Sequence, residues 1–214
     1  KFADRLEVSL DHFGQDADRI IWRKSFPPQS PAHQDLTYAF KWYAVKDAFD
    51  KGYRYVMWLD AGTEAVASIA PLWERIERLG FALLRGGDPL YKWISDAALL
   101  HFNFTRDQVM DINLAGGCLI GLDRQNETAM KFFEEWSKIV KIPYLMTGAN
   151  RRIGDDGKGV MRSLLRADTD DSVISLDPRV EGHRSDEACF SLICNRLGME
   201  MLNYTDWQKV CRTY

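Results

Sequence analysis

Basic charge is not in excess in this chain: 28 Lys and Arg stand against 31 Asp and Glu, for a formal net charge of −3. Neutralising phosphates needs clustered cations, so the composition argues against nucleic acid as a partner. Long apolar runs are also missing. None approaches the ~20 residues that cross a bilayer, and the opening Lys1-Phe2-Ala3-Asp4-Arg5 lacks the apolar core of a signal peptide, so no membrane span is expected. Cysteine is scarce. Cys118, Cys189, Cys194 and Cys211 have neither CxxC spacing nor His partners at zinc-finger distances, which argues against a structural metal and leaves buried free thiols. The initiator Met is missing, which reads as a trimmed soluble domain. Cytoplasm is the expected compartment. The sequons at Asn103, Asn126 and Asn203 would matter only in a secretory lumen.

What is present suits one α/β domain over residues 1–214, since 46% hydrophobic residues at this length can build one well-buried core. No internal repeat and no low-complexity linker divides it. Apolar spacing predicts a helix over residues 2–13 and a short strand at Arg19-Ile20-Ile21-Trp22. A Pro- and Ser-rich loop follows, then a helix over 36–50 capped by Asp35 and stopped by Gly52. Residues 53–60 read as a buried strand. Pro71 opens a helix that Gly80 ends, and Phe81-Ala82-Leu83-Leu84 is apolar throughout, as in a two-sided parallel sheet. Residues 86–105 read as irregular. Residues 113–122 read as a strand entered through a glycine bend, with Asp123 capping a helix to about Val140. Residues 148–159 read as a mobile polar loop. A strand at 172–176, a helix over 186–197 capped by Ser185, and a short strand at 200–202 complete the expectation.

The most informative stretch is Tyr55-Val56-Met57-Trp58-Leu59-Asp60-Ala61-Gly62, a strand that ends in a carboxylate. In open α/β sheets ligands bind beyond the carboxyl ends of strands, which makes Asp60 the first functional candidate; a turn former at a strand end is the competing reading. Lys41 sits beside the apolar stripe Leu36, Phe40, Tyr43 and Ala44, where a lysine can also simply snorkel to solvent. Asn113-Leu114-Ala115-Gly116-Gly117 permits close backbone approach to a ligand, or marks a β-bulge. Asp186 and Glu187 fall in the first turn of a helix, where the dipole favours acids in any case. Tyr91, Trp93, Asp96, His101 and Phe102 form an aromatic and polar segment suited to stacking on a sugar ring, or to covering a core.

In this order, with Trp136 and with His183-Arg184-Ser185-Asp186-Glu187 opening a late helix, these residues resemble the GT-A class of nucleotide-sugar glycosyltransferases. The resemblance spans residues 38–197. It implies a GT-A-like (Rossmann-like) twisted mixed sheet flanked by helices, and transfer of a sugar from a nucleotide-sugar donor to a hydroxyl of a saccharide or glycoconjugate. Asp60, Lys41, Gly62, Asn113, Gly116, Gly117 and Arg184 would meet the donor. Trp93 and Asp96 would meet the acceptor, and Asp186 or Glu187 would act as the catalytic carboxylate. The class carries Asp-x-Asp where this chain has Asp60-Ala61-Gly62, so Gly62 replaces the stronger ligand of a divalent cation. The resemblance therefore implies Mn or Mg bound weakly by Asp60 with His183 or Glu64, replaced by cationic side chains such as Lys41 and Arg184, or lost along with catalysis. The class also opens with a strand that helps hold the nucleoside, whereas this chain opens with a helix. That strand lies upstream, or the base-binding half is built differently. The second reading is a binding module that keeps the fold without catalysis.

Overall fold

β1 (Tyr55–Leu59), β4 (Asn113–Asp123) and β3 (Phe81–Pro89) pair in the order β1-β4-β3, and both pairings are antiparallel. The computed structural model describes residues 2–14, 16–33, 35–147, 149–153, 159–163 and 174–214. β4 lies in the middle, covered on both faces, which accounts for its small residues: a Cβ on Gly121 would lie 2.5 Å from Ile76 Cδ1. The register shifts between Leu83 and Leu84, opposite Gly116, so a bulge sits where the sequence showed its glycine bend.

Side chains alternate across this sheet, so each strand feeds two cores. Val56 and Trp58 pack on the side covered by α2 (Ala39–Asp50), α5 (Glu127–Ile139) and α7 (Ser185–Arg196); Tyr55, Met57 and Leu59 pack on the side of α3 (Ala70–Leu79) and α8 (Tyr204–Val210). α1 (Phe2–Phe13) lies against β2 (Thr63–Ala65), which pairs with β8 (Cys211–Thr213). α4 (Asp96–Phe102) and α6 (Pro143–Met146) extend the first core; β5 (Ala149–Ile153), β6 (Gly159–Ser163) and β7 (Gly182–His183) form a further small sheet. A parallel bridge joins Leu84 to Leu202, which makes this an α/β fold with helices flanking a mixed sheet. All four cysteines are free.

Several local expectations need correction. Residues 19–22 form no strand, and the strand at 200–202 is only that single bridge. α2 begins at Ala39 rather than 36, because Tyr38 takes a left-handed φ of 59°, and Asp35 does not cap it. Asp123 does not cap α5. It is committed to a fork of hydrogen bonds from Arg54 at 3.1 and 3.0 Å, and Asn126 accepts from Ala129 N instead. Ser185 lies inside the first turn of α7 with φ 45°, so Arg184 holds the cap position without a side-chain bond. The irregular stretch 86–105 contains α4, capped by Ser95 accepting from Ala98 N. The parallel arrangement read from the apolar strand 81–84 is antiparallel, since helices on both faces make a strand apolar whatever its direction. Of the loop at 148–159, residues 148 and 154–158 lie outside the described residues, as do 172 and 173 of the strand at 172–176; residues 174–176 are not a strand.

Candidate active site

Three distant segments deliver charge to the carboxyl end of β1. α2 places Lys41 in its first turn, Asp60 follows the last residue of β1, and α7 opens with Asp186 and Glu187. Lys41 is almost fully enclosed, its side chain 3% exposed. Its ammonium donates to Gly117 O at 2.9 Å, lies 3.4 Å from both oxygens of Asp60, and pairs with Asp186 Oδ2 at 3.1 Å. Burial is the largest influence on Lys41 and pushes its pKa down, yet Asp186 and Asp60 together outweigh it and hold the ammonium above the ordinary lysine range. Lys41 is therefore charged.

The carboxylates differ sharply in access. Asp186 is 3% exposed, and its Oδ2 makes no hydrogen bond despite the ion pair. Burial raises its pKa, against the lowering effect of Lys41. Asp60 is 32% exposed and oriented by Trp58 Nε1, which donates to Oδ1 at 2.6 Å. Glu187 Oε1 accepts from Gly117 N at 3.2 Å; burial first, and Asp186 second, raise its pKa. A carboxyl raised in this way and only partly buried is the profile of a general base working near neutrality.

Gly117 is the floor of this group. A Cβ there would lie 2.9 Å from Lys41 Nζ and 3.1 Å from Asp186 Oδ2, so no other residue lets the strand approach the ion pair. Gly116 serves a different purpose, since its missing Cβ makes room for Leu84. Both helices that supply the pair begin at a non-glycine residue with positive φ, Tyr38 at 59° and Ser185 at 45°. Such strain concentrates where a site fixes its geometry.

No protein-family model, curated protein or solved structure matches this chain.

The structure brings Lys41, Asp60, Gly117, Asp186 and Glu187 together, and adds Arg184, whose charge lowers the Glu187 pKa while its guanidinium lies over the Trp93 ring at 4.7 Å. Other candidates are engaged elsewhere. Asp96 accepts from Arg106 Nη2 at 2.6 Å and from Ser175 Oγ at 2.8 Å. Asn113 lies at the far end of β4, with Arg85 Nε at 3.1 Å when its amide is turned to accept. Gly62 O accepts from Tyr214 N at 3.0 Å and Arg5 Nη2 at 3.3 Å, tying the turn after Asp60 to the chain's end.

His183 is not available as a metal ligand. Nε2 lies 2.9 Å from Leu145 O and Nδ1 accepts from Ser95 N at 3.3 Å, so a neutral ring satisfies both contacts with no lone pair to spare. Burial lowers its pKa accordingly. No group of three His, Cys, Asp or Glu among the described residues has metal-ligand geometry. At Asp60 the ammonium of Lys41 stands where a cation would. This donor set does not fit a divalent ion that wants six or more oxygens.

Several neighbours had not been singled out. Tyr38, one turn before Lys41, puts its ring 4.8 Å from the ammonium, and burial with Asp186 next raises its pKa. His33 Nδ1 accepts from Tyr38 N at 3.3 Å; burial first and Lys41 second lower its pKa. Trp58 is two positions before Asp60, on the same face of the strand, which is the signal that it could have been read from. A cavity of ≈ 590 Å³ adjoins the group, with Tyr38, Phe40, Lys41, Trp58 and Asp60 on its wall.

Proposed function

We propose that this chain is a glycosyltransferase of GT-A type that moves a sugar from a nucleotide-sugar donor to a hydroxyl of a saccharide or glycoconjugate. The observation that carries this reading is the convergence of Asp60 and Glu187, from opposite parts of the chain, on one glycine-floored site braced by a buried lysine. Asp60 is open to a ligand and Glu187 is partly exposed, and carboxylates are suited to sugar hydroxyls because each accepts several hydrogen bonds.

Roles follow from access. Lys41 and Asp186 are enclosed and act as positioning residues, Lys41 by fixing the Asp60 and Asp186 carboxylates. Glu187 is the catalytic candidate: its raised pKa lets it take the proton of an acceptor hydroxyl as the bond to the anomeric carbon forms. Arg184, exposed beside Glu187, offers positive charge to a departing diphosphate. No step is routed through a metal ion. The second reading, a binding module without turnover, is favoured by the committed lysine and by Gly62 in place of a second Asp.

A thermal-shift screen of nucleotide sugars, with and without Mn, tests this directly, since a ligand of the native state raises apparent stability by mass action. A selective shift that Asp60→Asn removes is expected, with no dependence on Mn. A protein that responds to no nucleotide sugar would discard both readings.

A further inference from the structure

Among the described residues β1 is an edge strand, and the direction of its free edge can be fixed. Asp60 N donates to Cys118 O and Arg124 N donates to Arg54 O, so the even-numbered residues from 54 to 60 form the hydrogen-bonded pairs with β4. In an antiparallel ladder the alternate residues then direct N–H and C=O the other way. Those are Tyr55, Met57 and Leu59. Among the described residues no backbone or side-chain group bonds to them from that side.

This edge opens into the ≈ 590 Å³ cavity, whose wall runs without interruption along residues 55–62. Ala44 and Ala48 of α2 border it from one side of the sheet, Leu10 of α1 and Trp73 of α3 from the other, and residues 17–22 complete it. The cavity is thus a slot in the plane of the sheet between its covering layers. A strand in a packed sheet occupies about 160 Å³ per residue, from ~3.3 Å of rise, ~4.8 Å of strand spacing and ~10 Å of layer thickness. The slot therefore holds about four residues, close to the five of β1. The stretch 19–22, which has a strand's composition and pairs with no strand among the described residues, borders the same slot.

The charges on the wall are paired or turned to water, Asp18 being exposed. Glu7 bonds Arg23, Arg19 bonds Asp11, Asp18 bonds Tyr53 Oη, and Lys41 bonds Asp60. An occupant complementary to this wall carries no charge. A hydrocarbon would leave three N–H and three C=O groups desolvated without partners, at a cost for each.

We propose that the slot is a strand-accepting site: it takes an extended, uncharged polypeptide segment of about four residues, apolar on both faces, which pairs with β1 through Tyr55, Met57 and Leu59. Main-chain hydrogen bonds supply the affinity and the two helical layers take the side chains. One end of the bound segment reaches Lys41 and Asp60.

The probe is a synthetic peptide of five alternating valines and isoleucines flanked by lysines, and the readout is amide hydrogen exchange resolved by residue. In the free protein the amides of Tyr55, Met57 and Leu59 are expected to exchange fast while Val56 and Trp58 are protected. Saturating peptide should slow the three odd amides at least tenfold, and the same peptide N-methylated at alternate residues should not. Met57→Pro removes an outward N–H without touching the β4 ladder, so it should abolish peptide protection while Val56 and Trp58 stay slow. Odd amides already protected in the free protein, protection that grows with protein concentration through a second copy, or filling of the slot by dodecyl maltoside in place of the peptide would each overturn the proposal. So would a peptide that leaves exchange unchanged.

Discussion

Lys41→Met removes the ammonium that three groups share and leaves Asp186, 3% exposed, without its counter-ion. Breaking a buried pair by deleting one partner costs ~3–5 kcal/mol, because the remaining charge is stranded in low dielectric. Asp60 adds little to this cost, since at 32% exposure its carboxylate can turn to water. With an m-value of ~2 kcal/mol/M for urea, the unfolding midpoint should fall by about 1.5–2.5 M at unchanged m. The companion variant Lys41→Met with Asp186→Leu replaces the pair by hydrocarbon of similar volume, which is neutral or stabilising when packing is kept. It should recover most of the loss, giving a coupling energy of ~2 kcal/mol or more in a double-mutant cycle. Urea titrations of the four proteins decide the matter. A single variant that loses less than ~1 kcal/mol, or a double variant as unstable as the single one, would refute the picture of a buried strut.

Two further outcomes follow from the same geometry. Glu187→Gln should be more stable than the parent at pH 7 and no more stable at pH 4. The folded carboxyl lies above its ordinary range, so its stabilising proton is fully held below the unfolded value near ~4.3 and lost as pH rises through the folded value; denaturation midpoints at both pH values check this. Gly117→Ala should cost ~1–3 kcal/mol, because its Cβ meets Lys41 Nζ at 2.9 Å and Asp186 Oδ2 at 3.1 Å in a closed space, and it should abolish any donor-dependent thermal shift.

The sequence disclosed the parts of the site better than their arrangement. Asp60 stood out as a carboxylate directly after the apolar strand Tyr55–Leu59, although a turn former would leave the same mark in the sequence. Asp186 and Glu187 could be found but not ranked. Adjacent helix positions point about 100° apart, and only the packing of α7 on β4 decides that Asp186 is enclosed and Glu187 partly buried. Lys41 was legible as a lysine near an apolar stripe, but its role as a buried counter-ion depends on partners 19 and 145 positions away. His183 misled for a related reason: an imidazole bonded on both sides to backbone looks, in sequence, like one with a nitrogen to spare. The caps failed where a competing partner was remote, as with Asp123 drawn to Arg54, 69 positions away. Strand direction was beyond reach, since covering both faces produces the same apolar run in parallel and antiparallel sheets.

The most direct test of the central claim is nucleoside diphosphate release from the donor selected by thermal shift, measured with acceptor for the parent and for Glu187→Gln. Glu187 as general base predicts turnover in the parent and a kcat lower by ~10²–10⁴ in the variant with KM little changed. Equal kcat in the two proteins, or a donor bound with no release by either, would contradict it.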